Sequence, residues 1–181
     1  MISAEWLRPM LSLFCILFLA GPTWVLAQEE VAAPVAESSN LIKRVNLEML
    51  EGMVKRSGDT IEASDFFNDK TPRVQAKTEE GMVYFLFGTA CSEDGYCKGI
   101  ELQAVFSPGE DRTYDLEMAN ELNVKFGAVS IFLTDSGNIS VSRYLILDFG
   151  QAPENVELNL EVFQSISGRI SELLNSVEAD G

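Results

Sequence analysis

Two cysteines six positions apart, Cys91 and Cys97, most constrain how this chain folds. They lie in "GTACSEDGYCKGIELQAVF" (88–106), between two β-rich runs, Met82 to Ala90 and Lys98 to Phe106. A three-residue hairpin loop is usually a type I turn followed by a left-handed residue, most often Gly. Placing Gly95 there sets Cys91 directly opposite Cys97, at about 4.5–5.5 Å between Cα atoms, which a disulfide can bridge.

The same register assigns side chains to the two faces of the hairpin, because successive residues of a strand point to opposite sides. We expect one face to be the core. It carries Met82, Tyr84, Leu86, Gly88, Ile100, Leu102, Ala104 and Phe106. The other face mixes aromatic and polar residues, and we regard it as a candidate interface. It carries Val83, Phe85, Phe87, Thr89, Glu101 and Gln103. Cover by a terminal segment, by another chain or by a helix of the same domain all remain open.

The N-terminus predicts export. Arg8 precedes an apolar run (10–20), Gly21-Pro22 breaks it, and Val25-Leu26-Ala27 is typical of a cleavage site. The run is shorter than the roughly 20 residues that span a bilayer, so we expect a signal peptide over 1–27 and not an anchor. Cysteines exported to an oxidising compartment pair by default, so we expect a disulfide. A metal clip is a poorer alternative, because without histidine the only local oxygen ligands are Glu93 and Asp94. A redox role is the less favoured reading, because the spacing is C-x5-C and not C-x-x-C.

The rest of the chain reads as one α+β domain over 41–177, after a flexible leader (28–40) and before a short tail (178–181). Apolar spacing predicts helices over 41–56, 114–126 and 154–177. Leu116, Ala119, Leu122 and Val124 or Phe126 would face inward in the second helix. Strands are predicted over 60–64, 73–78, 82–90, 98–106, 128–134 and 138–150. The order α-β-β-β-β-α-β-β-α indicates an antiparallel sheet with helices packed against it.

Composition argues against several classes of function. The chain has no histidine and a net charge of −15. It therefore lacks the commonest general base and metal ligand, and its charge repels nucleic acid. No phosphate-binding glycine loop and no calcium-loop spacing occurs. We expect no enzyme, no cofactor, no metal and no nucleic-acid partner.

Several motifs resemble the YbjN family, which is described as bacterial sensory transduction regulators. The likeness is carried by an aromatic-rich strand, a Gly, the C-x5-C hairpin and "KGIELQAVF", then by "ANELNVKFGAVSIFLTDSGNISVSRYLIL" (119–147). It extends over most of residues 45 to 177. It implies a fold similar to type III secretion chaperones, which are usually dimeric protein-binding modules, and it brings no catalytic residues.

Two hypotheses of different classes follow. The first is a periplasmic or secreted protein-binding module, chaperone-like or regulatory, acting alone or as a homodimer. After signal cleavage it would have no stable membrane insertion. The second is an inner-membrane-anchored structural or envelope-stress accessory protein that keeps its N-terminus. Whether the N-terminus is cleaved distinguishes them.

Overall fold

The computed structural model describes residues 40–110 and 112–176 of the chain. The predicted signal peptide (1–27), residues 28–39 of the predicted leader and the predicted tail (178–181) lie outside the described residues. Among the described residues, no helix is long and apolar enough to cross a membrane. In chain order the elements are α1 Leu47–Ser57, β1 Thr60–Phe67, β2 Thr71–Lys77, β3 Val83–Cys91, β4 Cys97–Phe106, α2 Leu116–Lys125, β5 Ser130–Leu133, β6 Ile139–Ile146 and α3 Pro153–Ser176.

The fold class is confirmed. The described part of the chain is α+β, in the predicted order α-β-β-β-β-α-β-β-α, and the six strands in it form one antiparallel sheet. The spatial order is β1-β2-β3-β4-β6-β5, so β3 and β4 lie in the middle. Strands that follow one another in the sequence are joined by short turns, except that the chain passes through α2 between β4 and β5.

The β3–β4 register agrees with the one predicted from the turn. Cys91 pairs with Cys97. Ser92 donates its backbone N–H to the carbonyl of Tyr96 at 2.8 Å. Gly95 has φ +79°, the left-handed conformation that the loop requires. The Cys91 and Cys97 sulfurs lie 2.15 Å apart and form a disulfide.

One residue of β3 interrupts the alternation of side chains next to the disulfide. Ala90 has φ +52°, in the left-handed region that non-glycine residues rarely adopt. Cys97 is completely buried in the core, and Cys91 packs against the core. A Cβ added to Gly88 would come within 2.6 Å of the Cys97 sulfur. The cross-link therefore packs with the core side of the hairpin.

All three helices contribute to one core on the Tyr84–Leu86 side of the sheet. Leu50 of α1, Leu122 of α2 and Phe163 of α3 belong to the same buried cluster as Tyr84 and Leu86. The rings of Tyr84 and Phe163 are 6.3 Å apart. The apolar stripe of α3 is buried or packed against the core along the helix. Its members are Val156, Leu160, Phe163, Ile166, Ile170, Leu173 and Leu174.

The first helix begins later than its apolar periodicity predicts. The prediction of a helix from residue 41 is wrong, because Asn46 accepts a hydrogen bond from the Met49 N–H and caps α1 at its start. Ahead of the cap, Ile42 pairs with Gln151 and Val45 with Cys97 through backbone hydrogen bonds. These long-range bridges hold the segment extended.

The first hairpin is longer than predicted. β1 continues to Phe67 and β2 begins at Thr71, so the predicted strand limits at 64 and 73 are wrong. Asn68 and Asp69 both have positive φ, which makes a tight turn and brings Phe67 opposite Thr71. Asn and Asp tolerate this conformation better than other non-glycine residues.

The second helix buries less of itself than predicted, and the last two strands are shorter. Ala119, Leu122 and Phe126 face inward as expected, but Leu116 is 68% exposed and Val124 is 89% exposed. The strand contacts of α2 are chiefly with the short edge strand β5, so only a narrow stripe of this helix is covered. β5 spans four residues, and β6 ends at Ile146 because the chain then turns into α3.

Candidate protein-binding surface

The face of the sheet opposite the helices is uncovered by any described element. We call it the open face. Alternation along the strands places on it Phe67, Arg73, Gln75, Val83, Phe85, Phe87, Glu101, Gln103, Val105, Phe132 and Tyr144. It includes Val83, Phe85, Phe87, Glu101 and Gln103 of the candidate interface. Among the described residues, no helix of the domain covers this face, so one of the three alternatives for its cover is not observed.

Aromatic side chains form the centre of the open face. The rings of Phe85 and Phe87 are stacked at 5.9 Å, and Phe67 meets Phe87 edge-on at 6.4 Å. Phe85 and Phe87 are half-buried by their neighbours in the sheet, while Phe67 is 50% exposed. Val105, Phe132 and Tyr144 are also exposed on this face.

An ion pair closes one side of the aromatic cluster. Arg73 donates from Nε and Nη2 to the two carboxylate oxygens of Asp65, at 2.8 and 2.5 Å. These hydrogen bonds lower the pKa of the Asp65 carboxyl, and they raise the pKa of the Arg73 guanidinium. The guanidinium carbon also lies 5.9 Å from the centre of the Phe67 ring. The charge of Arg73 is therefore already matched within the chain.

The polar residues of the candidate interface differ in how they are satisfied. Gln103, opposite Phe85, donates to the Ser140 hydroxyl at 3.1 Å. Glu101 lies between Phe87 on β3 and Tyr144 on β6, and it is half-buried. Within the described part of the chain, Glu101 makes no hydrogen bond and no ion pair.

Tyr144 covers a gap that a glycine leaves on the open face. A Cβ added to Gly99 would come within 2.5 Å of the Tyr144 hydroxyl oxygen and would also collide with Thr89. Thr89 and Tyr144 are joined by a hydrogen bond of 3.0 Å across this position. Glycine at 99 thus lets an exposed aromatic ring lie flat on the sheet, close to Glu101.

A second feature is a groove of about 750 Å³ beside the start of β1, the β2–β3 turn and α3. Within it, Oδ2 of Asp59 accepts hydrogen bonds from Ser57 (2.9 Å), Tyr84 (2.5 Å) and Gln164 (2.5 Å). Burial raises the pKa of the Tyr84 phenol, and the hydrogen bond to Asp59 raises it further. Asp59 is thus committed to holding α1, β3 and α3 together, and we assign it a structural role.

Sequence reasoning missed Arg73, Phe67, Phe132 and Tyr144 as members of the open face. The signal was available in part, since alternation from Val141 and Leu145 puts Tyr144 on the side away from the core. Arg73 and Phe67 depended on the β1–β2 register, which the Asn68-Asp69 turn determines. In the described ranges, no three His, Cys, Asp or Glu side chains are grouped so as to hold a metal ion.

Comparison with known proteins supports the fold alone. No protein-family model and no curated protein matches the chain, so the YbjN resemblance stays a prediction. A crystal structure of an uncharacterized protein from Methanothermobacter thermautotrophicus is similar, with a TM-score of 0.53 and 10% sequence identity. The match covers 73% of this chain and 98% of that one.

Proposed function

We propose that this chain is an exported, non-enzymatic protein-binding module, chaperone-like or regulatory, of the type that the YbjN resemblance implies. The observation that carries the proposal is the open face, where Phe67, Phe85 and Phe87 form a contiguous aromatic cluster. Large aromatic side chains in a shared patch are typical anchors of protein interfaces, since each buries about 150–250 Å².

The open face also has the rigidity that a binding surface needs. Phe85 and Phe87 lie on β3, which pairs along its length with β2 and β4. Their rings rest against each other, so little side-chain freedom is lost when a partner covers them. The disulfide at the end of the same hairpin supports a location in an oxidising compartment, the periplasm or the cell exterior.

The test is the double substitution Phe85→Ser with Phe87→Ser, with Val124→Ser as the matched control. Val124 is exposed on α2, away from the open face, so its replacement also removes surface apolar area. The expected result is a folded double variant that loses partner binding or changes its oligomeric state, measured by sedimentation velocity. The control should behave as the wild type does.

Binding in the cell can be tested by photo-crosslinking. A photoreactive residue at position 105, on the open face, should give a cross-linked adduct of defined mass, whereas the same residue at position 124 should not. The proposal fails if the double variant keeps its association but loses stability. Full internal burial of each ring would contribute about 3–5 kcal/mol.

A further inference from the structure

Glu101 stands out on the open face because it is a partly buried residue whose carboxylate has no partner in the described chain. It lies on β4, in the middle of the sheet, with Phe87 directly opposite on one side and Tyr144 on the other. Glutamate is depleted from strands, so a glutamate without a cation partner in the middle of a sheet is unusual. Its place beside the aromatic cluster therefore calls for an explanation.

Neither cation of β2, the strand beyond Phe87, supplies the missing charge. Arg73 is held by both carboxylate oxygens of Asp65. Lys77 pairs with Val83, four residues along β3 from Phe87, which is about 13 Å at the usual rise of a strand. A charge at that distance in water is largely screened.

We infer that the open face binds a basic segment of a partner protein, whose arginine or lysine pairs with Glu101 while its apolar side chains cover Phe85 and Phe87. This inference rests on the proposed function and names the chemistry of the partner. Arginine suits the site best, because its planar guanidinium can donate two hydrogen bonds to the carboxylate and stack on a neighbouring ring.

Charge complementarity favours this occupant over a second copy. The chain carries a net charge of −15, which attracts a basic partner over long range and repels another copy. Two open faces laid together would also place two unpaired carboxylates, both from Glu101, in one apolar interface. Like charges there cost several kcal/mol.

The inference is tested with three fluorescent 12-residue peptides, alternating Phe/Arg, Phe/Glu and Ser/Arg, titrated by anisotropy at physiological salt. The wild type should bind the Phe/Arg peptide at least about ten-fold more tightly than the other two. Glu101→Gln should weaken that binding about ten-fold, the usual loss for a charge-assisted contact. Glu161→Gln removes one negative charge from an exposed position on α3 and should leave the affinity unchanged.

Charge reversal provides the sharper test. Glu101→Lys should prefer the Phe/Glu peptide over the Phe/Arg peptide, provided that its circular dichroism spectrum shows the wild-type fold. If Glu101→Gln and Glu161→Gln weaken binding equally, net charge explains the effect and the inference is wrong. It is also overturned if the wild type binds none of the peptides. Dimer formation by Glu101→Gln would overturn it as well, because Glu101 would then serve to prevent self-association.

The same peptides separate failure of the inference from failure of the proposed function. The wild type could bind the Phe/Arg and Phe/Glu peptides equally, and the variant Phe85→Ser with Phe87→Ser could bind neither. That result would reject the basic partner and leave the open face as a binding surface. Binding that survives this double substitution would reject the open face itself, and with it both proposals.

Discussion

Reduction of the Cys91–Cys97 disulfide should lower the free energy of unfolding by about 2 kcal/mol and leave the chain folded. The two cysteines are six residues apart, so the cross-link closes a small ring, and loop-closure entropy for such a ring gives about 2 kcal/mol. The hairpin keeps other supports when the bond is broken. The N–H of Ser92 still donates to the Tyr96 carbonyl, and Val45 still exchanges backbone hydrogen bonds with Cys97.

Replacing both cysteines by alanine should cost more than reduction does, about 3 kcal/mol in total. Cys97 is completely buried, so its replacement removes a packed sulfur as well as the cross-link, and a buried group of that size contributes about 1 kcal/mol. The assay is urea unfolding followed by far-ultraviolet circular dichroism, with and without reductant. The wild type should respond to reductant, and the variant Cys91→Ala with Cys97→Ala should not.

Two results would refute this reasoning. An unchanged free energy of unfolding after complete reduction would mean that the disulfide does not constrain the unfolded chain as the entropy argument requires. Equal stabilities of the reduced wild type and the double-alanine variant would mean that the Cys97 sulfur contributes nothing to packing. The slope of the free energy with urea should stay constant, since the fold is retained.

Three further predictions follow from other parts of the chain. Ser167 of α3 has a buried hydroxyl with no hydrogen-bond partner in the described chain, so Ser167→Ala should stabilise by about 1–2 kcal/mol. As a control, Ser165→Ala, exposed on the same helix, should increase stability by only about 0.5 kcal/mol in thermal melts. A loss of stability in Ser167→Ala would contradict the prediction. The raised pKa of Tyr84 means that its contribution to stability is complete below a pH of about 10 and is lost as the pH rises further. Urea unfolding between neutral and alkaline pH should show this decline in the free energy of unfolding, and the decline should be smaller in Tyr84→Phe. A decline of the same size in that variant would mean that other groups cause it. Intact-mass analysis of the exported protein should find a chain beginning at Gln28, and a chain that retains the apolar run would reject cleavage.

The β3–β4 hairpin could be predicted in register from the sequence because its determinants are local. Gly95 supplies the left-handed residue of the turn, and the cysteines stand three residues before and three residues after Asp94, at the centre of the loop. Once the register is known, alternation assigns every side chain to a face. Alternation alone placed Leu86 and Leu102 on the face opposite Phe85 and Phe87, and the structure agrees.

The errors arose where distant parts of the chain decide the structure. Ile42 and Val45 have helical spacing, but their backbones pair with Gln151 and Cys97, which local sequence does not reveal. Leu116 and Val124 fit the period of α2, yet this helix meets chiefly one short strand. Periodicity finds a helix but does not report how wide a neighbouring surface covers it.

The candidate surface was predicted in outline and missed in its charge pattern for the same reason. Phe85, Phe87 and Glu101 come from one hairpin and could be placed together from its turn. Arg73 and Tyr144 belong to strands that join this hairpin on either side, and their positions depend on the whole sheet order. The unpaired state of Glu101 becomes visible only when both neighbouring strands are in place.

The two edges of the sheet are poorly suited to pairing with another strand. At β5, the Asn123 side chain accepts from the Ile131 N–H at 2.9 Å and donates to the Ile131 carbonyl, so it takes the place of a neighbouring strand. At β1, the register shifts between Ile61 and Ala63, and an irregular edge of this kind disfavours pairing with another strand. These edges therefore favour the proposed binding through the open face, with its aromatic cluster and Glu101, over addition of a strand to the sheet.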